Sequence, residues 1–270
     1  MDTQASRPAG SAPLAGPDRA DALPTRVPPR IGPAFWIVKV LSTGMGEACS
    51  DFLAHRFGSI PAGAVGAVIL LIPLVLQLRS HGYRPWLYWS TVSAVAVTGT
   101  MAADGLHVEL NLPYAVTTAL YAVILTAVLT AWYRSERTLS IHSITTTRRE
   151  LFYWATVMST FALGTAVGDL SAVTLHWGYF GSGVLFAVVI AIPALAHRFL
   201  QLNAVFAFWF AYVITRPLGA SFADWLDMPR NVGGRGFGDG PVALVGLVLV
   251  AVGVAYIAAA HKREGIALEP

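Results

Sequence analysis

The stretch WIVKVLSTGMGEACSD at residues 36–51 decides the fold, because three later stretches of the chain repeat its pattern. They read WSTVSAVAVTGTMAAD at residues 89–104, WATVMSTFALGTAVGD at residues 154–169 and WFAYVITRPLGASFAD at residues 209–224. All four follow W-x9-G-x4-D without a gap, and a plainer apolar stretch comes after each of them. Matches in register at such separations indicate internal duplication, so we expect four tandem repeats of two helices each.

The composition is that of a membrane protein. The chain has 270 residues, of which 55% are hydrophobic and 12% charged, and this charged share is about half that of an ordinary soluble domain. A helix needs about 20 apolar residues to span the hydrocarbon core, and two such stretches occur in each repeat. We therefore predict an all-α polytopic membrane protein with eight transmembrane helices. Its repeats should lie at about residues 33–80, 86–134, 151–199 and 204–262, forming one transmembrane domain over residues 33–262.

The distribution of basic residues predicts the orientation in the membrane. The chain carries 18 Lys and Arg residues against 15 acids, with a pI of about 9.2, but most of these cations fall on one side of the predicted spans. This positive-inside pattern places both termini in the cytoplasm, with residues 1–32 as a disordered tail and residues 263–270 as a second tail. We expect a multi-pass protein of the bacterial inner membrane whose partner is the lipid bilayer and not nucleic acid. Assembly as a homo-oligomer stays open.

The repeats resemble a family of bacterial membrane proteins known as a repeat of unknown function, of the type numbered 347. In that family four tandem copies each contain two transmembrane segments and a tryptophan. The resemblance covers about residues 33–261 and implies the repeat architecture and the four tryptophans. It implies no activity, since the family is named for lacking one.

Two helices per repeat mean that every repeat enters the membrane from the same side. The repeats should then be related by an axis along the membrane normal, with the tryptophans at the cytoplasmic ends of their helices and the aspartates about 22 Å away. We interpret the tryptophans as interfacial anchors, with packing inside the bundle as the alternative, and the glycines as points of close helix approach. These residues are Trp36, Trp89, Trp154 and Trp209, and Gly46, Gly99, Gly164 and Gly219.

Polar residues follow one face of each first helix. At 100° per residue, the positions 3, 7, 11 and 15 after each tryptophan lie together, and we call them levels 3, 7, 11 and 15. In the first repeat they are Lys39, Thr43, Glu47 and Asp51, and Arg216 occupies level 7 of the fourth repeat. Charges within a membrane helix are costly and usually face a protected interior. We therefore expect the first helices to form the inner layer and the apolar second helices to face lipid.

These acids predict an ion site near the extracytoplasmic side. Glu47 and Asp51 would form its core, Thr43 would add a neutral oxygen, and Lys39 and Arg216 would act as countercharges. The other repeats would add level 15 acids, namely Asp104, Asp169 and Asp224. Two alternatives stay open: the aspartates simply end their helices at the water interface, and the cations form a structural salt bridge.

The first helix also contains a candidate metal-binding site. His55 follows Asp51 by four residues, and this spacing would let His55, Asp51 and Glu47 ligate a metal on one face of the helix. Histidines in loops often have no such role. The single cysteine excludes an intramolecular disulfide and a cysteine cluster within the chain, so we expect no cofactor apart from this candidate cation.

The resulting functional hypothesis is a transporter for a cation, with divalent metals and proton coupling as candidates. A cation channel lined by four similar helices is the alternative within transport. A non-transporting sensor or anchor and an intramembrane enzyme belong to other classes. The sequence has no nucleophile elbow, HExxH, phosphate loop or redox pair, which disfavours the enzyme.

Overall fold

The computed structural model describes residues 24–267 and consists of helices joined by short connections. The predicted tail falls largely outside this range, as residues 1–23 and 268–270 are not described. The first helices of the repeats are α1 (Pro33–Phe57), α3 (Pro85–Leu110), α5 (Thr147–Asp169) and α8 (Ala204–Asp227). The second helices are α2 (Ser59–Arg79), α4 (Tyr114–Glu136), the pair α6 (Gly178–Val189) and α7 (Ala191–Leu200), and α9 (Asp239–Ala267).

The sequence sets where the first helices begin. Helices α1 and α3 start with a proline, whose fixed φ and missing N–H suit the first helical position. Helix α8 starts after Asn203, whose Oδ1 accepts hydrogen bonds from the N–H groups of Val205 and Phe206 at 2.9 and 3.2 Å. Helix α5 follows Thr146, whose hydroxyl accepts from the N–H of Arg149 at 3.4 Å.

Six helices of the described range are long and apolar enough to cross a membrane, which is the pattern of a multi-pass membrane protein. They are α2, α4, α5 with the π-helical turn Leu170–Thr174, the broken helix α6–α7, α8 and α9. The break between α6 and α7 lies at Ile190, three residues before Pro193, because a proline inside a helix leaves the carbonyl four residues earlier without its N–H partner. Helices α1 and α3 have 25 and 26 residues but are less apolar.

The first helices form an inner layer, as the stripe of polar residues predicted. In the most apolar part of each helix, 50% of the residues of α8 and 67% of those of α5 are buried. The corresponding share in the four second helices is 11–22%. The second helices expose large apolar side chains such as Ile60, Ile72, Val123 and Leu244, a surface that suits lipid and not water. The predicted inner position of the first helices is therefore confirmed, and contact of the second helices with lipid stays a prediction.

The four repeat glycines lie where neighbouring first helices touch. At each of them an added Cβ would collide with the first helix of the next repeat, and the fourth repeat returns to the first. The contacts are Gly46 with Ala96, Gly99 with Phe161, Gly164 with Arg216, and Gly219 with Thr43. Helices α1, α3, α5 and α8 therefore form a closed ring around a central axis.

The four tryptophans mark one end of the ring, the Trp end, and three of them are not interfacial anchors. Trp89, Trp154 and Trp209 are almost fully buried, and Trp36 is partly buried. They pack with other aromatic rings, as in the contact of Trp209 with Tyr153, and Trp209 donates from Nε1 to the Leu139 carbonyl at 2.9 Å. The reason is angular: each tryptophan shares the axial face of its helix with the levels that follow it, so it points inward.

Residues 24–32 correct the prediction of a tail that is disordered up to residue 32. They cross the Trp end of the bundle, where Val27 is buried and the Arg26 N–H donates to the Ile144 carbonyl at 3.0 Å. The Arg26 guanidinium donates to the fully buried Glu150 at 2.9 Å, and the Gln77 amide donates to the other oxygen of Glu150 at 2.8 Å. This segment therefore lies across the Trp end and joins the second helix of the first repeat to the start of α5.

Candidate cation site

The centre of the ring is occupied by the guanidinium of Arg216, which is fully buried. Arg216 lies at level 7 of α8 and extends to level 11, where it donates to Glu47, Thr100 and Thr165, the last at 2.7 Å. It also donates to the Thr43 carbonyl at 3.3 Å. Arg216 forms an ion pair with Glu47, as expected of a countercharge for the predicted acids. Because one side chain contacts the other three first helices, this pair ties the ring together.

Lys39 does not act as a countercharge in this structure, contrary to the expectation. Its ammonium lies 4.1 Å from the ring centre of Phe161 and 4.3 Å from that of Tyr212, and it has no hydrogen-bond partner in the described chain. An ammonium group close to aromatic rings is stabilised by cation–π attraction. The physical reason is axial distance, since eight residues of helix place Lys39 about 12 Å from Glu47.

Thr43 is also not placed as a neutral ligand beside the acids. Its hydroxyl lies against the backbone carbonyls of Val40 and Thr215, at 2.6 and 3.0 Å, where α1 touches α8. The hydroxyl that donates to Glu47 is that of Thr100, at 3.2 Å, and the Thr165 hydroxyl accepts from Arg216; these are the level 11 residues of the second and third repeats. The sequence contained this signal, because both threonines belong to the same stripe.

A cavity of about 500 Å³ opens above Arg216 at the opposite end of the ring, which we call the Asp end. All four level 15 aspartates and Glu47 line it: Asp51, Asp104, Asp169 and Asp224, one from each repeat. The structure therefore brings together every acid that the stripe predicted. We call this cavity the vestibule. Tyr114, Tyr179 and His107 complete its wall.

Two groups of three carboxylates at the Asp end are close enough to share an ion, and all of their members except Asp227 line the vestibule. Oxygens of Glu47, Asp51 and Asp104 lie within 4.8 Å of one another, and so do oxygens of Asp51, Asp224 and Asp227. We call these the inner and the outer triad, and Asp51 belongs to both. Asp169 lines the cavity but belongs to neither. Clustered carboxylate oxygens are the ligands that hard divalent cations prefer.

Asp227 was missed by the sequence reasoning because it lies outside the W-x9-G-x4-D motif. It follows Asp224 by three residues on α8, and residues at that spacing are neighbours on a helix face. Asp227 is 5% exposed, and neither of its oxygens has a hydrogen-bond partner in the described chain. The spacing would have been a sufficient signal had the motif been extended by one turn.

His55 does not join the acids as a metal ligand. Its Nδ1 lies 2.8 Å from an oxygen of Asp239 at the start of α9, and its side chain is 70% exposed. His55 lines the rim of the vestibule, but neither triad includes it. The expected set of Glu47, Asp51 and His55 is therefore replaced by carboxylates alone, because Asp239 draws the imidazole to the surface.

A ring of four equivalent helices, wrapped by apolar helices and holding acids inside, defines a multi-pass helical membrane protein built from tandem repeats. The chain belongs to the family described as Repeat of Unknown Function (DUF347), whose model matches at residues 34–83, 87–138, 152–202 and 207–263. The four predicted repeats are thereby confirmed. No curated protein and no solved structure matches the chain.

Proposed function

We propose that this protein transports a cation across the bacterial inner membrane through the acidic site of the first helices. The observation that carries the proposal is the vestibule, which is lined by Glu47 and the four level 15 aspartates, while only Glu47 among them pairs with the guanidinium of Arg216. Acids inside a membrane bundle are costly and mark ion pathways. A ring that served only to hold helices together would not need so much unbalanced negative charge at its axis.

The proposed topology has eight spans, with both termini in the cytoplasm and the vestibule open to the outside. Helices α1 and α3 are as long as the spans around them, and the charged and polar residues of α1 are mostly buried in the ring, so their lower hydropathy does not oppose insertion. Most Lys and Arg residues fall at the Trp end, which makes that end cytoplasmic. The axis of the ring then runs along the membrane normal.

A carrier fits this geometry better than an open pore. The vestibule ends at the contacts of Arg216 with Glu47, Thr100 and Thr165. Further toward the Trp end lie the Phe161 ring with Lys39 and then a short hydrogen bond of 2.5 Å between the hydroxyls of Tyr88 and Tyr153. These layers block the axis, so passage of an ion requires a change of conformation.

The Arg216–Glu47 pair suggests how binding starts this change. Glu47 belongs to the inner triad and is also the partner of Arg216. A cation bound by Glu47, Asp51 and Asp104 would compete with Arg216 for the same carboxylate and weaken its hold on the ring. Protons could exchange with cations at these clustered acids, since neighbouring carboxylates oppose each other's ionisation.

Flux through proteoliposomes tests the proposal. The purified chain would be reconstituted and uptake followed for Mn²⁺, Ca²⁺, Mg²⁺, Na⁺ and K⁺, with and without a pH gradient. We expect Asp51→Asn and Asp104→Asn each to lower uptake at least tenfold, since neither carboxylate has an ion-pair partner in the described chain whose loss would disturb folding. Glu109→Gln is the matched control, an exposed acid at the same cavity, and should leave uptake unchanged.

Two results would overturn the proposal. If the wild-type protein moves none of these cations, the sensor or anchor class takes its place. If Asp51→Asn and Asp104→Asn transport at the wild-type rate, the acids are structural and the pathway lies elsewhere.

A further inference from the structure

The outer triad poses a problem that the transport proposal alone does not solve. Asp227 and Asp224 are only 5% and 6% exposed. Both oxygens of Asp227 and one oxygen of Asp224 are buried without a hydrogen-bond partner in the described chain. Buried carboxylates are normally paired with a cation or with hydrogen-bond donors. Their oxygens converge on those of Asp51, within 4.8 Å. These oxygens therefore lie close together without an ion pair to a cationic side chain of the described chain.

That geometry fits a metal ion. Oxygen ligands of Ca²⁺ lie about 2.3 to 2.6 Å from the ion, so two ligands on opposite sides are separated by about 4.6 to 5.2 Å. The oxygens of the outer triad lie within 4.8 Å of one another, no further apart than two such ligands can be, and the same holds for the inner triad. Asp51 has two carboxylate oxygens and belongs to both triads, so it can offer one oxygen to each of two ions.

We propose that the vestibule binds two divalent cations side by side, bridged by Asp51. Glu47 and Asp104 complete the inner position, and Asp224 and Asp227 complete the outer one. This inference rests on the proposed cation site and adds its occupancy and the class of its substrate. The outer position lies outside the repeat motif, because Asp227 has no counterpart at level 18 in the other repeats, where Ala54, His107 and Ala172 stand.

The charges in the two triads match two divalent ions. Together the triads contain five carboxylates, and Arg216 neutralises one of them by pairing with Glu47. Two divalent cations would neutralise the remaining four, whereas two monovalent cations would leave two negative charges on the triads. Ligands that are all carboxylate oxygens favour Mg²⁺, Ca²⁺ and Mn²⁺ over metals that prefer imidazole or thiolate.

The two positions should differ in affinity. A cation at the inner position must compete with Arg216 for Glu47. The outer triad has no ion pair with an Arg or Lys of the described chain, so its cation meets no such competitor. We expect the outer position to fill at lower cation concentration than the inner one.

Counting bound Mn²⁺ tests the inference on the full chain in detergent micelles. Equilibrium dialysis gives the number of ions per chain, and the electron paramagnetic resonance spectrum shows whether they are close, since two bridged Mn²⁺ ions couple magnetically. The wild type should bind two coupled ions, the tighter one at least tenfold more strongly. Asp227→Asn should remove the tighter ion and Asp104→Asn the weaker one, each leaving an uncoupled spectrum. Asp51→Asn should remove both, and Glu109→Gln should keep both.

The outcomes separate this inference from the transport proposal. A wild-type protein that binds one ion, or two ions without coupling, overturns the inference whatever the variants do, so misfolding of a variant cannot rescue it. Retention of two coupled ions by Asp227→Asn overturns it as well. Cation flux with a single bound ion would support transport and refute the pair of sites. Two coupled ions without any flux would support the pair and refute transport.

Discussion

The substitution Gly99→Ala tests the closed ring most directly. A Cβ at position 99 would lie 2.6 Å from the Cβ of Phe161 on α5, and that atom cannot move away without its backbone. Alanine gains about 1 kcal/mol over glycine in a helix interior, while overpacking of a tight contact costs about 1 to 3 kcal/mol. The net change should range from none to a loss of about 2 kcal/mol.

Gly105 provides the matched control on the same helix. It lies six residues further along α3, and a Cβ there would meet nothing within 4 Å. Gly105→Ala should therefore show the helix gain alone and stabilise the protein by up to about 1 kcal/mol. The difference between the two variants isolates the overpacking cost, which we expect to be about 1 to 3 kcal/mol.

Reversible unfolding in mixed micelles of increasing SDS content measures both variants. Gly99→Ala should unfold at lower SDS content than the wild type or near it, and Gly105→Ala at higher content. Equal stability of the two variants, or a more stable Gly99→Ala, would show that α3 and α5 do not meet at this glycine and would refute the ring.

Two further predictions concern the ion pair and the orientation. Glu47→Gln leaves Arg216 buried without its carboxylate and should destabilise the protein by about 3 to 5 kcal/mol, and adding Arg216→Met should restore most of this loss; a loss below about 1 kcal/mol in SDS titration would show that the pair is not buried. In a chain carrying Cys49→Ala, a membrane-impermeant maleimide should label His107→Cys in intact cells and His142→Cys only after permeabilisation. The reverse pattern would invert the proposed sidedness.

Periodicity was sufficient to predict the inner layer of first helices and its acids. The four-fold motif gave the repeats, and one angular argument gave the face on which Glu47, Asp51 and the other aspartates converge at the vestibule. It also placed Arg216 on that face, where it pairs with Glu47. The face on which a residue lies depends only on the helical period of 3.6 residues, and this period can be applied directly to the sequence.

Axial position and side-chain reach were not predictable in the same way. Arg216 extends about one helical turn, so it meets residues one level beyond its own, while Lys39 lies among aromatic rings. Thr43 bonds across a helix contact whose closeness depends on a glycine of another repeat. These outcomes depend on how four helices are offset along their axis, and no single helix contains that information.

Segments outside the motif were the other source of error. Residues 24–32 appear from composition to be a polar, proline-rich tail, yet Arg26 reaches the buried Glu150. His55 lies on the expected face of α1 but is drawn to Asp239. In both cases a partner far along the chain decides the local structure, and local composition cannot reveal that partner.

The closed ring has a consequence for how this protein could have evolved. A ring assembled from four identical chains repeats every axial residue four times, so an arginine at level 7 would place four cations against one another. Fusion of the copies into one chain removes that restriction, and level 11 here holds Glu47, Thr100, Thr165 and Ala220 around a single Arg216. The tryptophan, glycine and aspartate of the repeat motif remain the same in every copy. Gene duplication has thus kept the symmetry of the scaffold while allowing the chemistry along its axis to become asymmetric.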